Sequence, residues 1–116
     1  MDTKITRFED IIAWQKAMTL CVKIYDLFKD HNDYSFRNQI QRAAISISNN
    51  IAEGYERMNN NELRYFLYVA KGSSGEVRSM LRLAVLLDII TEKMGKELVA
   101  DAEEISKILS GLIKAL

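Results

Sequence analysis

Apolar residues recur in steps of three and four along nearly the whole chain, which is the spacing of a helix face rather than of a strand. In the first stretch Ile11, Trp14, Met18, Cys21, Tyr25 and Phe28 keep that step. A second row, Ala13, Ala17, Leu20, Ile24 and Leu27, runs beside it. A helix opened by a capping box at Thr6 and Glu9 and ending near Phe28 would be roughly 35 Å long. Two rows make an apolar face wider than one core contact requires. Such a helix either is wedged between neighbours of its own chain or also meets another subunit.

A polar stretch, residues 29–35, forms the first turn, after which Phe36, Ile40, Ala44, Ile47 and Ile51 predict a second helix reaching about Arg57. Asn59, Asn60 and Asn61 make the next turn, with Asn59 and Glu62 at capping-box spacing. Beyond it, Leu63, Phe66, Ala70, Val77, Met80, Ala84 and Leu87 hold one phase straight through Gly72 and Gly75. A loop has no reason to keep phase, so this segment reads as one helix of about 28 residues. Each internal glycine costs roughly 1 kcal/mol against alanine, so Gly72, Gly75 and the adjacent serines are expected to let a neighbouring helix approach. Thr91 can cap a last helix whose core row is Leu98, Ala102, Ile105, Leu109, Leu112 and Leu116. Four helices of similar length with short links predict an all-α, antiparallel up-down-up-down four-helix bundle, a single domain over 1–116.

Composition agrees with this picture. The 116 residues include no proline, and 48% are hydrophobic, enough for one core. Sixteen basic and sixteen acidic residues cancel, whereas a dedicated nucleic-acid binder usually carries a basic surplus. A single cysteine forbids an internal disulfide and suits a reducing compartment. The first ten residues lack the apolar core of a secretory signal, and no run is apolar enough to span a membrane. The expectation is a cytoplasmic protein.

The second helix carries an unusual polar row: Gln39, Arg42, Ser46, Asn50, Glu53 and Arg57. Serine and asparagine are poor helix formers that compete for backbone hydrogen bonds, so their use here predicts specific partners. Arg42 and Glu53 are expected to anchor an inter-helix network with Gln39, Ser46 and Asn50 by charge-assisted bonds. A second row is basic: Arg57, Arg64, Lys71 and Arg78 repeat every seven residues, with Arg82 one turn on. It reads either as a nucleic-acid contact, with Tyr65 and Tyr68 stacking on bases, or as a solvated face paired with Glu53, Glu56, Glu62 and Glu76.

Catalytic chemistry finds little footing. His31 is the one histidine and falls in a predicted turn, Cys21 lies on an apolar row, and the serines have no histidine placed as a base. Glu53 and Glu56 lack the histidine that a di-iron bundle needs. No enzyme activity, metal or cofactor is expected.

Three stretches, AWQKA (13–17), QIQRAAISISNNIAEGYER (39–57) and AKGSSGE (70–76), resemble a family of four-helix-bundle proteins encoded in intervening sequences of bacterial 23S ribosomal RNA genes. The likeness covers nearly the whole chain. It departs from the family in lacking a proline before and within the second helix, which implies a straighter helix. The resemblance implies a homo-oligomer, with a pentameric ring the expected assembly. It also implies kinship with the basic accessory proteins of diversity-generating retroelements, which bind nucleic acid and a reverse transcriptase. The expectation is therefore a non-enzymatic oligomer that docks RNA or DNA through the basic row, with a structural or protein-binding scaffold as the alternative.

Overall fold

The computed structural model describes residues 7–116. Thr6, and with it the capping box expected at the first helix, lies outside the described residues. A short 3-10 turn at Phe8–Asp10 leads into four helices: α1 (Ile12–Phe28), α2 (Tyr34–Tyr55), α3 (Asn60–Leu86) and α4 (Glu92–Lys114). Neighbours pack in the cyclic order α1, α2, α3, α4 and back to α1. Cross-helix contacts give the directions. Lys16 pairs with Glu104 while Lys23 pairs with Asp101, and Gln39 meets Glu76 while Ser46 meets Ser73. Partner numbers fall as residue numbers rise, so adjacent helices are antiparallel. The result is an up-down-up-down bundle about 50 Å long.

α1 starts later than expected. Ile11 is extended and no side chain caps the helix; instead Phe8 packs edge-on against Trp14 at 5.3 Å, and Gln15 Nε2 donates to the Glu9 carbonyl at 2.9 Å. The two apolar rows of α1 are not equally buried, although Ile11 and Phe28 at the ends of the first row are in the core. Ala13, Ala17, Leu20 and Ile24 are buried, whereas Met18 and Tyr25 of the other row are 42% and 39% exposed. The rows are similar in hydrophobicity; the ion pairs of Lys16 and Lys23 with α4 suit the rotation in which the small row faces inward.

In α2 all five predicted core residues are buried, and Asp33 caps the helix by accepting from the Phe36 amide at 3.0 Å. Asn59 caps α3 by accepting from the Glu62 amide at 2.8 Å. α3 runs unbroken through both glycines. The glycines do not bring a neighbouring helix close: a Cβ on Gly72 would meet nothing within 4 Å, and one on Gly75 only Arg78 Nη2 at 3.7 Å. Ser74 is the residue buried at this point. Its hydroxyl donates to the Ala102 carbonyl at 2.8 Å and accepts from Ser106 at 2.9 Å, joining α3 to α4.

α3 ends in a Schellman turn, with Ile89 N bonded to Ala84 O at 2.8 Å and Asp88 N to Val85 O at 3.0 Å. Asp88 takes the left-handed conformation, φ 59°, where glycine is usual and aspartate is tolerated. Leu87, expected in the core, caps this turn and is 55% exposed. Thr91 then caps α4 by accepting from the Met94 amide at 3.1 Å.

Candidate nucleic-acid interface

The predicted basic row separates into two parts. Arg57, just beyond α2, is held by Glu53 at 2.7 Å and Glu62 at 3.2 Å, with its guanidinium over the Phe66 ring. Arg64 donates to Asn61 Oδ1 and to the Leu116 carbonyl, both at 3.1 Å. These two arginines staple the chain together. Lys71, Arg78 and Arg82 behave differently. Lys71 and Arg82 are exposed and make no ion pair among the described residues, and Arg78 has only Glu103 at 3.9 Å.

The antiparallel packing of α4 adds two cations that were not predicted. Lys107 faces Lys71 and Arg78 across a groove of about 320 Å³, which Glu103, Ser106 and Ser110 also line. Further along, Lys96 and Arg82 flank a second groove of about 460 Å³ with Glu92 and Glu103. Along the α3–α4 seam Lys71, Arg78, Arg82, Lys96 and Lys107 thus stand against Glu92 and Glu103. The α1–α4 seam is neutral by comparison, with each of its lysines paired at 3.0–3.2 Å. A chain of zero net charge therefore carries a positive seam, and local potential is what a polyanion senses. Lys96 and Lys107, eleven residues apart, share one face of α4, but only the helix order of the bundle sets that face beside the cations of α3. Tyr65 and Tyr68 are both exposed on the outer surface of α3.

The polar row of α2 is rearranged. Ser46 and Ser73 share a hydrogen bond of 2.8 Å, Asn50 Nδ2 donates to the Ser46 carbonyl and hydroxyl, and Gln39 reaches Glu76 at 3.4 Å. Arg42 and Glu53 do not anchor this network. They lie eleven residues apart along α2, both exposed; Glu53 pairs with Arg57, and Arg42 borders an open polar groove. Replacing Arg42 by alanine is accordingly expected to change stability by less than about 0.5 kcal/mol, as at ordinary surface sites. Urea unfolding measures this, and a loss several times larger would show that Arg42 holds an interior partner.

His31, in the turn between α1 and α2, is half-buried. Its Nδ1 accepts from the Asp33 amide at 2.9 Å, and its ring lies beside Phe28 and Phe36. Burial raises the Cys21 thiol above its ordinary pKa, which disfavours the thiolate. Among the described residues no three histidine, cysteine, aspartate or glutamate side chains gather as metal ligands, and no helix is long and apolar enough to cross a membrane.

The family model of the 23S rRNA-intervening sequence protein matches residues 9–111. The chain belongs to this family. Among solved structures, a protein of unknown function from the S23 ribosomal protein family of Bacteroides thetaiotaomicron superposes with a TM-score of 0.84. It is 24% identical, and the match covers 89% of this chain and 99% of that one. At that identity the likeness speaks for the fold. No curated protein matches the chain.

Proposed function

We propose that this family member is a non-enzymatic homo-oligomer that docks RNA or DNA on the α3–α4 seam. The observation that carries the reading is the gathering of five cations from two helices against two carboxylates, in a chain with no net charge. Phosphate contacts supply most non-specific affinity for nucleic acid, and Tyr65 and Tyr68 offer exposed rings on the outer surface of α3 for bases to stack on. A closed ring, with the pentamer implied by the family resemblance, repeats the seam around an axis and raises its field. The engagement of His31 by a backbone amide supports a structural role for the one histidine. The lone cysteine suits a cytoplasmic setting.

Electrophoretic mobility shift with a structured RNA, repeated across salt, tests the proposal. Affinity should fall steeply as salt rises, and combined Lys71→Glu, Arg78→Glu and Lys107→Glu changes should weaken binding at least about tenfold with helicity intact. Equal binding by parent and variant would sink the seam as the contact. Light scattering checks the assembly: a monomer at micromolar concentration removes the ring. A second reading, a structural or protein-binding scaffold without nucleic acid, draws on the exposed Leu83, Leu86 and Leu87 near the α3–α4 turn. A stable protein partner bound there, together with no RNA shift at low salt, would favour it.

A further inference from the structure

We propose that the groove around Arg78 is a phosphate site, seating a single tetrahedral oxyanion between α3 and α4; the proposal rests on the positive seam described above and goes further by naming the group and the atoms that hold it. Arg78 is underused as it stands. Among the described residues its Nε–H is buried with no acceptor and its one ionic contact, to Glu103, is at 3.9 Å, too long for a hydrogen bond. Buried donors without partners are rare in native proteins. Arginine is also the side chain whose planar fork matches a phosphate in two parallel bonds.

The surroundings of that fork supply the rest of a site. Lys71 lines the same groove from α3 and Lys107 from α4. Ser110 lies on the α4 wall, its hydroxyl without a hydrogen bond among the described residues, whereas the Ser106 proton is committed to Ser74. Three cations face one carboxylate, leaving two positive charges, the complement of a phosphate dianion. Glu103 is 46% exposed on its side chain and meets Arg78 only at long range, so its pairing is weak and screened and an oxyanion can take its place. Arg78 Nη2 lies 3.7 Å from where a Cβ would stand on Gly75, an ordinary contact distance, so the guanidinium lies along the bare helix surface beside the groove.

The test is a heteronuclear NMR titration of the full chain with inorganic phosphate, ionic strength held constant with sodium chloride. Saturable movement of the Arg78 Nε–Hε signal and of the amides around residues 106–110, with a midpoint in the millimolar range, is the expected result. Arg78→Gln and Lys107→Gln should each weaken the midpoint at least fivefold, while Arg37→Gln on α2 leaves it unchanged. Circular dichroism checks that each variant is folded, and Lys107→Gln carries the test should Arg78→Gln be unfolded. Movement that chloride or acetate reproduces, or that survives in a folded Arg78→Gln or Lys107→Gln variant, overturns the site. A competing arm adds single-stranded RNA to the phosphate-loaded protein. Displacement identifies the site with polynucleotide phosphates. Saturable phosphate binding with no RNA binding at low salt upholds the site for free phosphate and overturns the nucleic-acid function alone.

Discussion

Alanine in place of Phe28 is expected to lower the folding free energy by about 3–5 kcal/mol, the range for emptying a buried aromatic position. Phe28 is the last residue of α1 and has no solvent exposure. Its ring lies 5.7 Å from Phe36 and 6.5 Å from His31, centroid to centroid, in tilted geometries that favour aromatic pairs. The two phenylalanines flank the α1–α2 turn, so the substitution both leaves a cavity and loosens that corner. Denaturant unfolding at fixed protein concentration measures the loss, because self-association would otherwise add a concentration-dependent term. Met58→Ala, at a site 97% exposed, is the matched control and should be nearly silent. A Phe28→Ala loss below about 1 kcal/mol would mean that the corner closes over the gap, contrary to the partial relaxation usual in packed interiors.

Gly95→Val should cost about 2–3 kcal/mol by overpacking. A Cβ built at Gly95 runs into Cγ2 of Val85 across the α3–α4 seam. Valine is stiff about its first torsion, so Val85 cannot fold out of the way as a long flexible side chain would, and the helices must separate instead. Gly111 tests the explanation from the other side. A Cβ there meets nothing within 4 Å, and Gly111→Ala should stabilise α4 by up to about 1 kcal/mol through helix propensity alone. Opposite signs at two glycines of one helix would separate contact from propensity. A thermal melt of each variant at matched concentration decides it, and a Gly95→Val protein as stable as the parent would show that the seam has slack.

The fold was legible because helical phase survives local ambiguity. Ala70 and Val77 are one heptad apart, which carries α3 through two glycines that local composition alone would assign to a loop. The rotation of α1 was not legible, since two rows of similar hydrophobicity compete and the pairs that suit one of them, Lys16–Glu104 and Lys23–Asp101, join residues about eighty to ninety positions apart. The purpose of the small residues was half readable. Serine at 74 and glycine at 72 look alike as small side chains, yet one is buried and hydrogen-bonded and the other points into open space. For the candidate interface, Lys71, Arg78 and Arg82 follow from spacing on one helix. Lys96 and Lys107 do not, because a charge pattern shared by two helices exists only once their order around the bundle is known. Arg57 and Arg64 fit the spacing but are taken up by acceptors close to the α2–α3 turn and at residue 116.

The hydroxyl pair Ser74–Ser106 has a mechanical consequence. Aliphatic rods can slide past one another with little change in buried surface, but two hydroxyls sunk among them meet at one setting only. Shifting α4 by four residues, roughly 6 Å, in one direction would set Ser74 against Ala102 and Ser106 against Ala70, leaving both oxygens facing methyl groups. In the other direction Ser74 would meet the hydroxyl of Ser110 but Ser106 would be set against Arg78, so the buried Ser74–Ser106 pair would part as well. The serines therefore work as a detent: they add little to the strength of the assembly and much to its alignment, holding the charged groups of α3 and α4 level with each other.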